Sequence, residues 1–307
     1  MKLVRPSQFL SDAIAVLERE APKLALRVKT FVADQDDLYH ERCQAFLFCY
    51  VRFLEEQNLS FDEGVGSFIR LQSIVETERQ KFLATAQYPN TSFKEVNNHF
   101  YSNPELMRHH MHGLVFAQFL WPDQYQRFCF FSDHLKEFAS TASSYLEVGG
   151  GHALYLCEAQ RQIGSHASIE VVDISETSMN MVKSFSAGSG SEIRYHLMDI
   201  FDLPDAPVFD FITMGEVLEH VEEPAKLLNK LRCLLHSQGR VYITTPANAP
   251  MPDHIYLFHN ADEIRAMLTS CGFRIEKETF RYAIDVPPKI AEKLKLPLMY
   301  AAFCSTN

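Results

Sequence analysis

The chain has 307 residues, 47% hydrophobic and 22% charged, which is the balance of a globular protein with a substantial core. Its formal net charge of −10 repels phosphate backbones, so nucleic acid is not an expected partner, and no apolar run reaches the length needed to span a bilayer. The N-terminus, MKLVRPSQFLSDAIAVLERE, reads as neither signal peptide nor anchor, and seven scattered cysteines without a CxxC pair suit free thiols in a reducing cytoplasm.

Residues 1–138 read as helix after helix. Apolar positions recur at helical spacing over 9–32, with Pro22 marking a break or a new first turn. A second helical run covers 37–57. Ser60 and Glu63 form a capping box before the next, and Ser92 and Glu95 repeat the signal. Asn103-Pro104-Glu105 places a cap, a first-turn proline and an acid at the start of a stretch that ends at Pro122. The 24 phenylalanines, many of them in this half, predict an aromatic-rich region that lines a pocket. His109, His110 and His112 invite a metal reading. Helical spacing brings only His109 and His112 near one face, without a carboxylate, so no metal is expected.

Near residue 141 the pattern changes to short apolar runs alternating with helical ones, from SYLEV to FRIEKETF. Such alternation predicts a parallel sheet covered by helices on both faces over 139–307. SYLEV runs into Gly149-Gly150-Gly151, where a sharp backbone turn at a helix N-terminus brings the main chain close to a ligand. SIEVVD ends in Asp173, about 20 residues further on, placed to accept hydrogen bonds from ribose hydroxyls. Asp199 ends a third strand. The fourth, FDFITM, is followed by Gly215-Glu216-Val217-Leu218-Glu219-His220, which crowds acids and a histidine at the sheet edge where open α/β sheets hold ligands.

The order E-x-G-G-G, V-V-D-I-S, M-D and F-D-F-I-T-M-G-E-V-L-E-H-V resembles the class I S-adenosylmethionine (SAM)-dependent methyltransferases over about 141–280. VLEHV is characteristic of the small-molecule branch. The resemblance implies a Rossmann-like, seven-stranded SAM-binding sheet with a reversed last hairpin, preceded here by an all-helical domain. It implies that Glu147, Gly149 and Gly151 sit against the methionine part of SAM, with Gly150 between them at a position the family fills variously. Asp173, followed by Ile174, would bind the ribose. Asp199 and Ile200 would flank the adenine, and Met214, Gly215 and Glu216 would line the methionine side. Alanine stands at 153, where family members often have glycine.

The stretch GRVYITTPANAPMPDHIYLFHNADEIRAMLTSCGF resembles the loop that related enzymes fold over the acceptor. Asp253, His254, Tyr256 and His259 are its candidates for substrate contact, with Asp253-His254 a candidate base pair and His220 a second candidate base. The expected activity is methyl transfer from SAM to O, N or C of a small molecule. The alternative is consumption of SAM by cyclisation of its amino acid part to a ring such as azetidine-2-carboxylate, or by aminocarboxypropyl transfer, with release of methylthioadenosine. The helical half is expected to cover the strand ends as a cap, or to form a homodimer interface.

Overall fold

The computed structural model describes residues 7–164, 166–187 and 192–306. Its first half is helical: α1 (Gln8–Glu20), α2 (Pro22–Ala33), α3 (Asp37–Glu56), α4 (Phe61–Thr85), α5 (Phe93–Val96), α6 (Pro104–Leu120) and α7 (Pro122–Ala139). Local chemistry fixes the starts. Ser60 and Glu63 form the reciprocal capping box of α4, Ser92 caps α5, and Asn103 accepts from the amides of Glu105 and Leu106 at the start of α6. Between α5 and α6 the chain widens into a π-helical turn, Asn97–Tyr101, a feature often found at functional sites.

The second half alternates as β1 (Ser144–Val148), α8 (Leu154–Ile163), β2 (Ser168–Asp173), α9 (Glu176–Ser186), β3 (Ile193–Leu197), β4 (Phe209–Gly215), α10 (Pro224–Leu234), β5 (Leu235–Ala247), α11 (Ala261–Ser270), β6 (Phe273–Tyr282), α12 (Pro288–Lys293) and β7 (Leu298–Thr306). The strands form one seven-stranded sheet in the order β3-β2-β1-β4-β5-β7-β6. β7 runs antiparallel to both its neighbours, while the pairings among β1 to β5 are parallel, so the reversed last hairpin is present. The order reverses beside β1, which opens a crevice at the C-terminal ends of β1 and β4.

Alternation along the strands sorts side chains between two cores. Tyr145, Ile169, Val171, Phe211, Tyr242 and Phe303 join the core shared with the N-terminal helices, α8 and α9. Leu146, Val148, Val172, Ile212, Met214 and Val241 join the core beneath α10 and α11. The helical half therefore packs on one face of the sheet in a continuous core. Phe131 and Phe138 of α7 stack on Phe303 of β7, so this helix, placed by sequence with the helical half, also roofs the sheet. Among the described residues no helix is long and apolar enough to cross a membrane.

Candidate active site

The turn after β1 is built by backbone conformation. Gly149 and Gly151 have φ of +70° and +51°, where glycine carries no steric cost. Ala153 follows at +62°, a conformation that explains why glycine is common there and that alanine adopts under strain. A Cβ on Gly150 would lie 2.7 Å from Val182 Cγ2 and 3.0 Å from Val171 Cγ1. Gly150 thus lets the turn pack onto α9 and β2 and faces away from the crevice.

Asp173 closes β2, buried beside this turn. Its carboxylate accepts from the Ser175 amide at 2.7 Å, the Ser178 hydroxyl at 2.6 Å and the Gly151 amide at 3.4 Å. Ser175 caps α9, and Asp173 ties the glycine turn to that helix. Burial holds its pKa above the ordinary aspartate value, against the pull of these donors. Ile174, directly after Asp173, is 50% exposed, and Met198 and Phe201, after β3, are 36% and 47% exposed.

At the end of β4, Glu216 adopts φ +56° and turns its carboxylate under the helical half. Arg127 of α7 donates to it at 2.6 Å and Thr244 at 2.8 Å. Burial opposes the Arg127 charge, and the Glu216 carboxylate more than restores it. The Arg127 Nε has no hydrogen-bond partner among the described residues. Arg127 was not singled out from sequence, and its only local signal is a charge inside the aromatic run QRFCFF.

One turn later lies a cluster that no single segment could build. Glu219 is fully buried; Thr245 donates to one of its oxygens at 2.9 Å, and its Oε1, which has no hydrogen-bond partner among the described residues, lies 3.8 Å from His220 Nε2. Burial, then the neighbouring Glu216 charge, push its pKa up to about 8. His220 Nδ1 lies 2.9 Å from the carbonyl of Asp253 and 3.6 Å from its carboxylate, and Tyr101 places its hydroxyl 3.2 Å from the same nitrogen. Burial lowers the His220 pKa, but Asp253 and Glu219 outweigh it, so the net shift is upward. His254 stands edge-on to His220, with ring centroids 4.9 Å apart. Burial drives its pKa down to about 3, and its Nδ1 has no hydrogen-bond partner among the described residues. The carboxylate expected to serve His254 is thus engaged by His220, because the turn at 252–253, closed by the His254 amide on the Met251 carbonyl, sends the two adjacent side chains in different directions. His110 of α6 approaches Asp253 at 3.7 Å. Glu219, His220 and His254 offer ligand atoms within 4.8 Å of one another, a spacing that suits a divalent cation.

A cavity of about 1610 Å³ connects these groups. Gly149, Gly151, Asp173, Ile174, Gly215, Glu216, His220, Asp253 and His254 all line it, as do Tyr101, His110, Trp121 and Arg127 from the helical half. Other expected site residues do not. Glu147 is buried on the helix-facing side of β1, bonded by the Tyr145 hydroxyl. Met214 and Ile200 point into the second core. Asp199 is exposed and caps the Ile200–Asp202 turn by accepting from the Phe201 amide. Tyr256 packs against Phe258, its amide held by the Glu219 carbonyl, and His259 pairs with Glu263 at the surface. The three neighbouring histidines separate: His110 enters the cavity, while His109 and His112 line a second one of about 230 Å³ beside Ser67 and Glu63.

A family model described as a methyltransferase domain matches residues 124–278, just over half of the chain. The chain belongs to the class I SAM-dependent methyltransferase family. The match starts inside α7, in keeping with that helix's place on the methyltransferase sheet. The ubiquinone biosynthesis O-methyltransferase of Coxiella burnetii (strain RSA 493 / Nine Mile phase I) is 32% identical over 124 residues, 40% of this chain and 51% of that protein. Its counterpart from Xanthomonas axonopodis pv. citri (strain 306) is 29% identical over 107 residues, 34% of this chain and 44% of that one. This methyltransferase chain therefore spans about half the length of the curated relatives it matches. The solved structure of the mitomycin 7-O-methyltransferase MmcR shares the fold at 10% identity, with a TM-score of 0.51 over 76% of this chain and 68% of that one.

Proposed function

We propose that this methyltransferase binds SAM at the ends of β1, β2 and β4 and passes its methyl group to a small-molecule acceptor held beneath the helical half. The observation that carries the reading is the single cavity joining Asp173 and the glycine turn to the Glu219–His220–Asp253–His254 cluster. Asp173 suits the ribose hydroxyls, since its carboxylate lines the cavity beside the glycine turn. Ile174, Met198 and Phe201 suit the adenine faces. The Arg127–Glu216 pair offers one charge of each sign to the carboxylate and ammonium of the methionine end.

SAM supplies an already activated methyl group, so the protein's task is alignment, exclusion of water and removal of the acceptor's proton. His220 suits the last role. Donation from Nδ1 to the Asp253 carbonyl leaves the Nε2 lone pair available, and the Asp253 carboxylate stabilises the imidazolium that forms. His254, whose protonation burial disfavours, suits acceptor positioning. A volume of about 1610 Å³ exceeds the roughly 300–1,000 Å³ of an ordinary ligand pocket, so it has room for an acceptor beside SAM. That room favours transfer over cyclisation of SAM itself. The net charge of −10 and seven free cysteines support a small-molecule acceptor in a reducing cytoplasm.

Product analysis by mass spectrometry tests the reading. Incubation with SAM and cell-derived small-molecule fractions should yield S-adenosylhomocysteine and a product heavier by one methylene. Methylthioadenosine formed from SAM alone would overturn it in favour of cyclisation.

A further inference from the structure

Four cations line the mouth of the cavity without an ion-pair partner. Lys23 and Arg27 of α2 are exposed there, and Arg79 of α4 and Arg281 of β6 are half-buried. In this acidic chain many other cations do find a carboxylate, whereas none of these four does among the described residues. Neutral oxygens hold the guanidiniums instead. Arg79 donates to the carbonyls of Lys295 and Leu294 at 2.6 and 2.7 Å, Arg281 to the Gln126 side chain at 2.9 Å, and Arg27 to that of Gln72 at 3.5 Å. These contacts orient the groups without pairing them with a carboxylate, although Glu76 acts on Arg79 electrostatically from a distance. Glu76 and Asp285 share the rim, so cations outnumber acids there in a protein whose net charge is negative.

Beneath the rim the lining turns apolar, with Leu24, Val28, Phe31, Ile69, Leu114 and Trp121. The buried Glu219, Asp253 and His254 form the floor. The lining therefore combines exposed and half-buried cations, apolar side chains and a buried reactive cluster.

We infer that the acceptor is amphipathic, with an apolar body in the middle zone and an anionic group, a carboxylate or a phosphate monoester, among Lys23, Arg27, Arg79 and Arg281. This rests on the reading that the cavity holds the acceptor. Arginine forks match either anion in two-point contact, and a rim of one sign concentrates ligands of the other. The anion then anchors one end of the molecule and sets how deep the other end reaches toward His220.

Calorimetric titration of the full chain with octyl phosphate, octanoate and octan-1-ol tests this. At least one anionic probe should bind about tenfold more tightly than the alcohol. The Lys23→Glu/Arg27→Glu double variant should abolish that preference, and Lys136→Glu, at an exposed position outside the cavity, should keep it. A preference for octyl phosphate assigns a phosphate-bearing acceptor, and one for octanoate a carboxylate. Failure of both anions to bind, octan-1-ol binding as tightly as both, survival of the preference in the double variant, or its equal loss in Lys136→Glu would each overturn the inference. SAM titrated into the same samples separates the two readings. A wild-type chain that binds the anions and not SAM retains the anion site and loses the methyl-transfer assignment.

Discussion

Arg127 and Glu216 lie 89 residues apart and meet at 2.6 Å, joining the roof helix α7 to the end of β4. The arginine is 4% exposed and the glutamate side chain 29%, so the arginine in particular has no bulk water to replace its partner. Arg127→Met should destabilise the fold by about 3 kcal/mol, because it strands a carboxylate under the helical half. SAM affinity should fall with it. Glu216→Gln in the same chain should recover most of the stability and none of the affinity. Thermal melting with SAM calorimetry reads both, and a double variant no more stable than Arg127→Met would refute the pairing argument.

His220 and His254 stack edge to face, yet of the two only His220 comes within ion-pair distance of a carboxylate among the described residues. His220→Gln should lower kcat at least about a hundredfold while SAM affinity stays within about twofold. His254→Gln should act mainly on the acceptor's KM. If the two effects are exchanged, His254 is the base and the Asp253–His220 contact is structural.

Glu147 is held protonated by burial, with its pKa pushed up to about 8. In the unfolded chain it ionises near the ordinary glutamate value of about 4.3. Between these values the folded state binds the extra proton, so this group's contribution to stability falls as pH rises. The cost should approach a few kcal/mol by about pH 8. Glu147→Gln removes the titration and keeps the acceptor for Tyr145. Melting curves of the two proteins should diverge between about pH 5 and pH 8, with the variant the more stable at the higher pH. Parallel curves would mean that Glu147 ionises in the fold at its usual pKa.

Gly150 was expected to belong with the ligand-binding glycines, but its backbone hydrogens face Val182 and Val171. Gly150→Ala should cost about 1–3 kcal/mol by overpacking, and Val182→Ala should recover part of it by opening space. SAM affinity of the folded protein should be unchanged. Lost affinity in a stable Gly150→Ala protein would return this glycine to the ligand site.

The features legible in sequence are those that the local chain dictates. Caps at Ser60, Ser92 and Asn103, the strand–helix alternation, and the glycine turn with Asp173 are all set by neighbours within a few positions, through backbone hydrogen bonds and periodic burial. The resemblance carried by GEVLEHV placed the rest of the methyltransferase sheet. Packing of the helical half onto that sheet decided what spacing could not. It turned Tyr101, His110 and Arg127 inward from three different helical segments, and the meeting of the loops after β4 and β5 gave Asp253 to His220 rather than to His254. Sequence determines which face of a helix is apolar. Which polar side chain on that face meets a carboxylate brought from more than a hundred residues away depends on how two elements dock, and docking is a property of the shared core.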